Sequence, residues 1–241
     1  MRVAVLSDIH SNFHALKAVL NDAEGAQVDE TYCLGDLVGY GPHPNRVIEE
    51  IRKRGIPTVQ GNYDEGVGLN LDSCGCAYTT EREKITGDIS LEWTRNNTSM
   101  ENKRFLRELP EEIHKVIGDY KALFVHGSPR RNNEYLYSDR PLTSLLRMLE
   151  PLDIDALIFG HTHIPYHRTV AGIDLINVGS VGKPKDGDPR ACYAIIDINE
   201  EVEVEFRRVD YPKEIVAREI GKAGLPKDFA EAILSGGRHN R

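Results

Sequence analysis

The sequence predicts an α/β fold: a two-sheet sandwich of mixed parallel and antiparallel strands, flanked by helices as a four-layer αββα domain. Three observations lead there. Short valine- and isoleucine-rich runs alternate with amphipathic helical segments over residues 3–60. After His163 the helical spacing gives way to strand-length segments joined by short turns. No low-complexity tract, repeat or Pro/Ser-rich linker divides the chain, so one domain over residues 1–234 is expected, with a disordered tail over 235–241.

The first strand, Val3-Ala4-Val5-Leu6, is a short buried-type run that stops at Ser7-Asp8-Ile9-His10. Positions two apart in extended backbone face the same way, so the Asp8 carboxylate and the His10 imidazole can aim at one point. Ser11 or Asn12 then caps a helix with Phe13, Leu16, Val19 and Leu20 on one face. The free N–H groups at its start favour an anion such as phosphate. His14, in the first turn, is either a substrate contact or a solvated helix position. A second strand over 31–34 ends in Gly35-Asp36. Beyond the turn Gly39-Tyr40-Gly41-Pro42, where His43 reads as a loop residue, Pro44 opens a helix through Val47, Ile48 and Ile51 that stops at Gly55. The third strand, over 56–60, ends in Gly61-Asn62-Tyr63-Asp64. This alternation predicts parallel pairing with right-handed crossovers and ligands at the carboxyl ends of the strands.

Residues 66–78 read as a loop. A helix is expected over 81–95, with Ile85, Ile89 and Trp93 at core spacing, and Thr98-Ser99-Met100-Glu101 has the form of a capping box before a helix carrying Phe105, Leu106 and Leu109. Strands over 113–117 and 121–125 flank Gly118-Asp119-Tyr120 as a hairpin, and the second ends in His126-Gly127-Ser128-Pro129. After Arg130-Arg131 and a helix over 141–150, a strand over 156–160 runs into His161-Thr162-His163. Strands are expected over 166–170, 174–178, 192–198 and 202–209, with turns at Ala171-Gly172 and Asn199-Glu200, then helices over 213–222 and 227–234.

A net charge of −8 argues against an extended nucleic-acid surface, but not against a small phosphorylated substrate beside a bound cation. No apolar run approaches membrane-spanning length and no signal-peptide core precedes the first strand, so no membrane association and a cytoplasmic location are expected. Four cysteines make no disulfide framework in a chain of this length. Cys33 and Cys192 fall within strands as small core residues, and Cys74 and Cys76 read as neutral loop thiols.

The strand ends, in order, read DxH, GD, GN, HG and GHTH. From Arg2 to about Ile198 this set resembles the calcineurin-like metallophosphoesterases, and residues 35–42 and 177–182 resemble their small bacterial and archaeal phosphodiesterase-like branch. The resemblance implies the sandwich fold and a binuclear centre in which Asp8, His10 and His163 hold one ion, Asn62, His126 and His161 the other, and Asp36 bridges. It also puts Asp36, Asn62 and His126 at the reacting centre, where a metal-activated water attacks the ester. Imidazole, carboxylate and amide ligands suit manganese foremost, or iron, zinc, cobalt or nickel.

Many relatives carry a histidine after the GN asparagine, placed to protonate the leaving group; here the position is Tyr63, a phenol with an ordinary pKa near 10 and a poor acid–base match at neutral pH. Asp64 either orients Tyr63 or caps the following turn. Arg130 and Arg131, just after the His126 strand end, are either a bidentate phosphate clamp or a solvated basic loop. Two functions fit: a metal-dependent phosphoesterase for a small phosphodiester, nucleotide or phosphomonoester, or a non-catalytic interaction scaffold on the same fold, as in the retromer scaffold subunit. The complete ligand set favours the enzyme.

Overall fold

Alternating apolar residues on the central strands divide the interior into three cores. The computed structural model describes residues 1–199 and 202–237. One sheet has the order β2 (Glu30–Cys33), β1 (Arg2–Leu6), β8 (Ala191–Ile198), β9 (Val202–Val209). The other runs β3 (Glu112–Ile117), β4 (Tyr120–Val125), β5 (Ala156–Phe159), β7 (Ile173–Asn177), β6 (Tyr166–Val170). Between the sheets lie Val3, Val5, Phe124, Ile158, Ile176 and Ile196. The next residues along the same strands point outward. Ala4, Leu6, Tyr193 and Ile195 pack under α1 (Phe13–Gly25) and α2 (Pro44–Arg54), whereas Leu123, Leu157 and Phe159 pack under α6 (Leu142–Leu149). The expected layered sandwich is therefore present.

Strand existence was more legible than strand partnership. β1 pairs in parallel with β2 but antiparallel with β8, and β4, β5 and β7 form the parallel centre of the second sheet. The expected third strand over 56–60 is reduced to one bridge, Cys33 to Thr58. Pro57 accepts from the Cys33 N–H but has no N–H of its own to extend the ladder.

Local helix readings differ at two places. Residues expected to begin a loop belong instead to α3 (Asn62–Gly68), whose Gly66 and Gly68 weaken the helical signal. Within α4 (Glu81–Asn97) the buried face is Gly87, Ser90, Leu91 and Thr94; Ile85 and Ile89 are exposed. The small residues decide this, because a Cβ on Gly87 would stand 2.1 Å from the Tyr78 hydroxyl. Trp93 is half-buried and donates Nε1–H to the Ala223 carbonyl at 3.0 Å. Ser99 caps α5 (Met100–Arg107) by accepting from the Asn102 N–H.

The C-terminal pair α7 (Lys213–Lys222) and α8 (Lys227–Ser235) sends Val216, Ile220, Phe229 and Ile233 into the core beneath α1. Part of the expected disordered tail is thus structured: Ser235 closes α8 and Gly236 follows as a left-handed cap. Residues 238–241, and Glu200 of the expected turn, lie outside the described residues.

One glycine tests how closely the loops pack. A Cβ on Gly182 would lie 1.7 Å from the Ile9 carbonyl oxygen, and the Gly182 N–H donates to the Asp8 carbonyl at 2.9 Å. Gly182→Ala is expected to lower stability by roughly 3 kcal/mol, the upper end of overpacking costs. Gly55→Ala meets no atom within 4 Å and carries only the cost of a left-handed φ of 62°, about 1 kcal/mol. Urea melts of the two variants give the comparison, and equal losses would contradict it.

Candidate metal centre

Each ligand-type residue stands just past a strand end or at a helix start, which brings them to one edge of the sandwich. Asp8 and His10 follow β1, Asp36 follows β2, Asn62 opens α3, His126 follows β4, and His161 and His163 follow β5; all are buried. Asp8, His10, Asp36, His161 and His163 have φ of 54°, 49°, 51°, 63° and 62°. That left-handed backbone is disfavoured for residues with a Cβ, least so for Asp, Asn and His. Cross-loop backbone bonds enforce it: the Asp8 N–H donates to Gly35 O at 3.0 Å and the His10 N–H to Asp36 O at 2.9 Å.

The side chains converge as two clusters. The donor atoms of Asp8, His10 and His163 lie within 4.8 Å of one another, and so do those of Asp36, His126 and His161. Asp36 stands between them, its Oδ2 3.7 Å from His10 Nε2 and 3.4 Å from His126 Nε2. Its Oδ1 accepts the Tyr63 N–H at 2.8 Å. Asn62 donates Nδ2–H to the Cys74 carbonyl at 2.9 Å, which turns Oδ1 to within 3.1 Å of His126 Nε2.

This arrangement fits bound cations. His10, His126 and His163 each present Nδ1 to a backbone carbonyl, of Val38, Leu34 and Lys183 respectively. In neutral His10 and His163 an Nδ1–H donor leaves the Nε2 lone pair facing inward, the orientation that metal-ligating histidines have, and His126 is aimed the same way. His10 Nε2 and His163 Nε2 then oppose each other at 3.3 Å as two acceptors. Asp8 Oδ1 and His161 Nε2 are buried without any hydrogen-bond partner, each a cost of about 1–3 kcal/mol unless something satisfies it. A divalent ion in each cluster would satisfy them, and neutral nitrogen with carboxylate oxygen suits a borderline transition metal.

Electrostatics point the same way. Burial lowers His10 and His161 to about 3 and His163 to about 4, so these imidazoles are neutral donors at physiological pH. Burial also opposes charge on His126, but the adjacent Asp36 and the nearby Asp8 carboxylates raise it to about 9. Both carboxylates are ionised: burial would raise them, but the protonated His126, against Asp36 and near Asp8, holds them down.

Other candidate residues lie elsewhere. Tyr63 is fully buried, with its hydroxyl 3.4 Å from Ser90 Oγ and its ring edge-on to His10. Asp64 accepts the Leu37 and Gly61 N–H groups at 2.9 and 3.1 Å, so it closes the start of α3 and the Asp36 loop rather than the turn that follows it. Arg130 is exposed and paired with Glu134, while Arg131 is an exposed member of the Ser128 turn. His14 is half-buried rather than solvated, bonded to Glu219.

Sequence reading missed the cleft that adjoins the clusters. Its volume is about 410 Å³, and Tyr40, Cys76, Tyr78, Tyr135, Lys183 and Lys185 line it. Tyr135 lies over His161 with ring centres 4.0 Å apart, and Asn62 Nδ2 is 3.2 Å from Cys76 Sγ, itself 2.9 Å from Cys74 Sγ. Lys183 Nζ sits 4.1 Å above the Tyr40 ring, where burial and then the Lys185 charge push its ammonium down to about 7. These residues lie on irregular segments without periodic spacing; Tyr40 falls in the 35–42 block, Cys76 in the cysteine pair and Lys183 directly after the 177–182 block, whereas Tyr78, Tyr135 and Lys185 had no signal. No ligand residue lines this cleft directly; it meets the clusters through Tyr135 against His161 and Cys76 beside Asn62, contacts that the cleft of about 460 Å³ beside Val28, Tyr32 and Pro57 does not have. Among the described residues no helix is long and apolar enough to cross a membrane.

Known proteins share this architecture. An uncharacterized protein of Methanocaldococcus jannaschii, MJ0912, is 36% identical over 252 residues, covering 97% of this chain and 98% of that protein. The phosphodiesterase YfcE of Escherichia coli K12 is 24% identical over 208 residues, 82% of this chain and 88% of its own length. The crystal structure of a metallophosphoesterase from Sphaerobacter thermophilus superposes with a TM-score of 0.78 at 31% identity, covering 98% of this chain and 99% of that one. A model of the calcineurin-like phosphoesterase superfamily domain matches residues 1–201, a span that takes in β1 to β8 and both ligand clusters; the chain belongs to that superfamily.

Proposed function

We propose that this protein hydrolyses small phosphodiesters with two divalent ions, manganese foremost. The observation that carries the reading is the position of Asp36 Oδ2, 3.7 and 3.4 Å from an imidazole nitrogen of each cluster. Asp8, His10 and His163 are the ligands of one ion, Asn62, His126 and His161 those of the other, and Asp36 is shared. Bound there, the ions supply a nucleophile from water at neutral pH and neutralise the non-bridging phosphoryl oxygens. The carbonyls of Val38, Leu34 and Lys183 hold three of the imidazoles in the ligating tautomer.

The ester lies in the tyrosine-lined cleft, where Lys183 and Lys185 provide the positive charge that Arg130, Arg131 and His14 do not bring. Tyr63 directs its phenol to Ser90 and burial raises its pKa well above the ordinary value, so it gives the leaving group no proton. Departure without such assistance favours an activated leaving group over an alkoxide.

Three expectations test this reading. Protein reconstituted with manganese should retain about two equivalents by elemental analysis. Asp36→Asn should weaken retention of both and Asn62→Ala mainly of one, whereas a wild type that retains none refutes the proposal. Metal uptake should also expel the His126 proton, since the folded metal-free site holds it up to about 9. Calorimetry in buffers of different ionisation enthalpy should therefore show release of roughly one proton at pH 7, falling as pH rises through that value, with apparent affinity rising over the same range. No release at pH 7 would count against it. Finally, cleavage of bis-p-nitrophenyl phosphate should exceed that of alkyl monoesters, and Tyr63→Phe should leave the ratio unchanged. Tyr63→His should favour monoesters only if its imidazole reaches the leaving oxygen, a gain of up to about 10²–10⁴-fold. A wild-type preference for alkyl monoesters would overturn the substrate reading, and bound metal without turnover would favour a scaffold.

A further inference from the structure

Away from the two clusters, three chain segments bring a second kind of ligand set together. His14 lies in the first turn of α1, His43 immediately precedes α2, and Glu219 lies on α7. His14 Nε2 is 2.9 Å and His43 Nε2 3.0 Å from the same oxygen, Glu219 Oε2. All three donor atoms lie within 4.8 Å of one another. The side chains are 24%, 20% and 28% exposed, so solvent reaches the group without dispersing it.

We propose that His14, His43 and Glu219 form a separate site for a borderline transition-metal ion such as zinc, which fastens α7 to the body of the domain. Two imidazoles and one carboxylate are a common three-ligand zinc set, with water completing the tetrahedron. Ligand atoms around such an ion, with bonds of about 2.0–2.1 Å, are roughly 3.3 Å apart. The contacts at 2.9 and 3.0 Å need to open by only a few tenths of an ångström. Magnesium and calcium, which prefer all-oxygen shells, are poorly served by two imidazoles.

The location gives the ion a task. Glu219 lies beyond residues 1–201, the span matched by the superfamily domain, on the C-terminal helical pair. Phe229 of α8 stands edge-on to Tyr40, and Tyr40 edge-on to His10. Asp228 and Phe229 form part of the wall of the 410 Å³ cleft. An ion that ties α7 to α1 and to the start of α2 therefore fixes the helical pair whose other member lines that cleft.

The test compares full-length wild type, Glu219→Gln and His43→Ala after stripping with a chelator and reloading with zinc. Elemental analysis should find about one equivalent more in wild type than in either variant, whatever the clusters retain. Cobalt(II) loading should likewise give a visible-absorption component that both variants lack. Raising free zinc should lift the melting temperature of wild type beyond that of the variants, and at equal metal loading the three proteins should hydrolyse bis-p-nitrophenyl phosphate alike. Circular dichroism establishes that the variants are folded, and Glu219→Gln keeps side-chain volume should His43→Ala unfold. Zinc content in either folded variant equal to wild type would overturn the site and leave a hydrogen-bonded His–Glu–His group.

Discussion

The structure depends on the close approach of two strand-end loops at Asp36. A Cβ on Gly35 would stand 2.3 Å from the Gly61 nitrogen, and one on Gly61 would stand 2.2 Å from both the Asp36 nitrogen and Oδ1. Only glycine at both places lets the loops touch. That contact lets Asp36 accept the Tyr63 N–H with one oxygen and face the ligand clusters with the other. Asp64 closes the same junction by accepting the Leu37 and Gly61 N–H groups. Sheet, helix α3 and ligand set are thus fixed by one carboxylate and its cap.

A buried carboxylate needs compensation, and the fold supplies it unevenly. Burial penalises the charges of Asp8 and Asp36, yet both remain ionised with the protonated His126 against Asp36 and near Asp8. Of the ligand imidazoles only His126 is held protonated, so the metal-free centre keeps an excess of acceptors. The protein is organised to hold positive charge that its own side chains do not fully provide.

What the sequence revealed followed from local rules. Asp8 and His10 stand two apart at the end of an apolar run, and His161 and His163 repeat the pattern, so strand geometry alone aims each pair. Strand-type runs marked all nine strands without help from distant residues, with β2 and β7 each displaced by one residue. Partnership was less accessible: nothing near Val3 announces that β8, not a third parallel strand, lies beside it. The glycines of α3 concealed a helix, and Pro57 concealed the loss of a strand. The roles of Tyr135 and Lys185 and the convergence of His43 with Glu219, 176 residues apart, exist only once the chain is folded.

Five ligand residues keep a left-handed backbone, each at about 1 kcal/mol against the favoured conformation. Together that is comparable with the lower end of the net stability of a whole domain, about 5–15 kcal/mol. Selection for stability alone would replace these residues with glycine and relax the loops; selection for chemistry retains them. The chain is in this sense held away from its own stability optimum, and an ion held by those side chains would return what the backbone gives up.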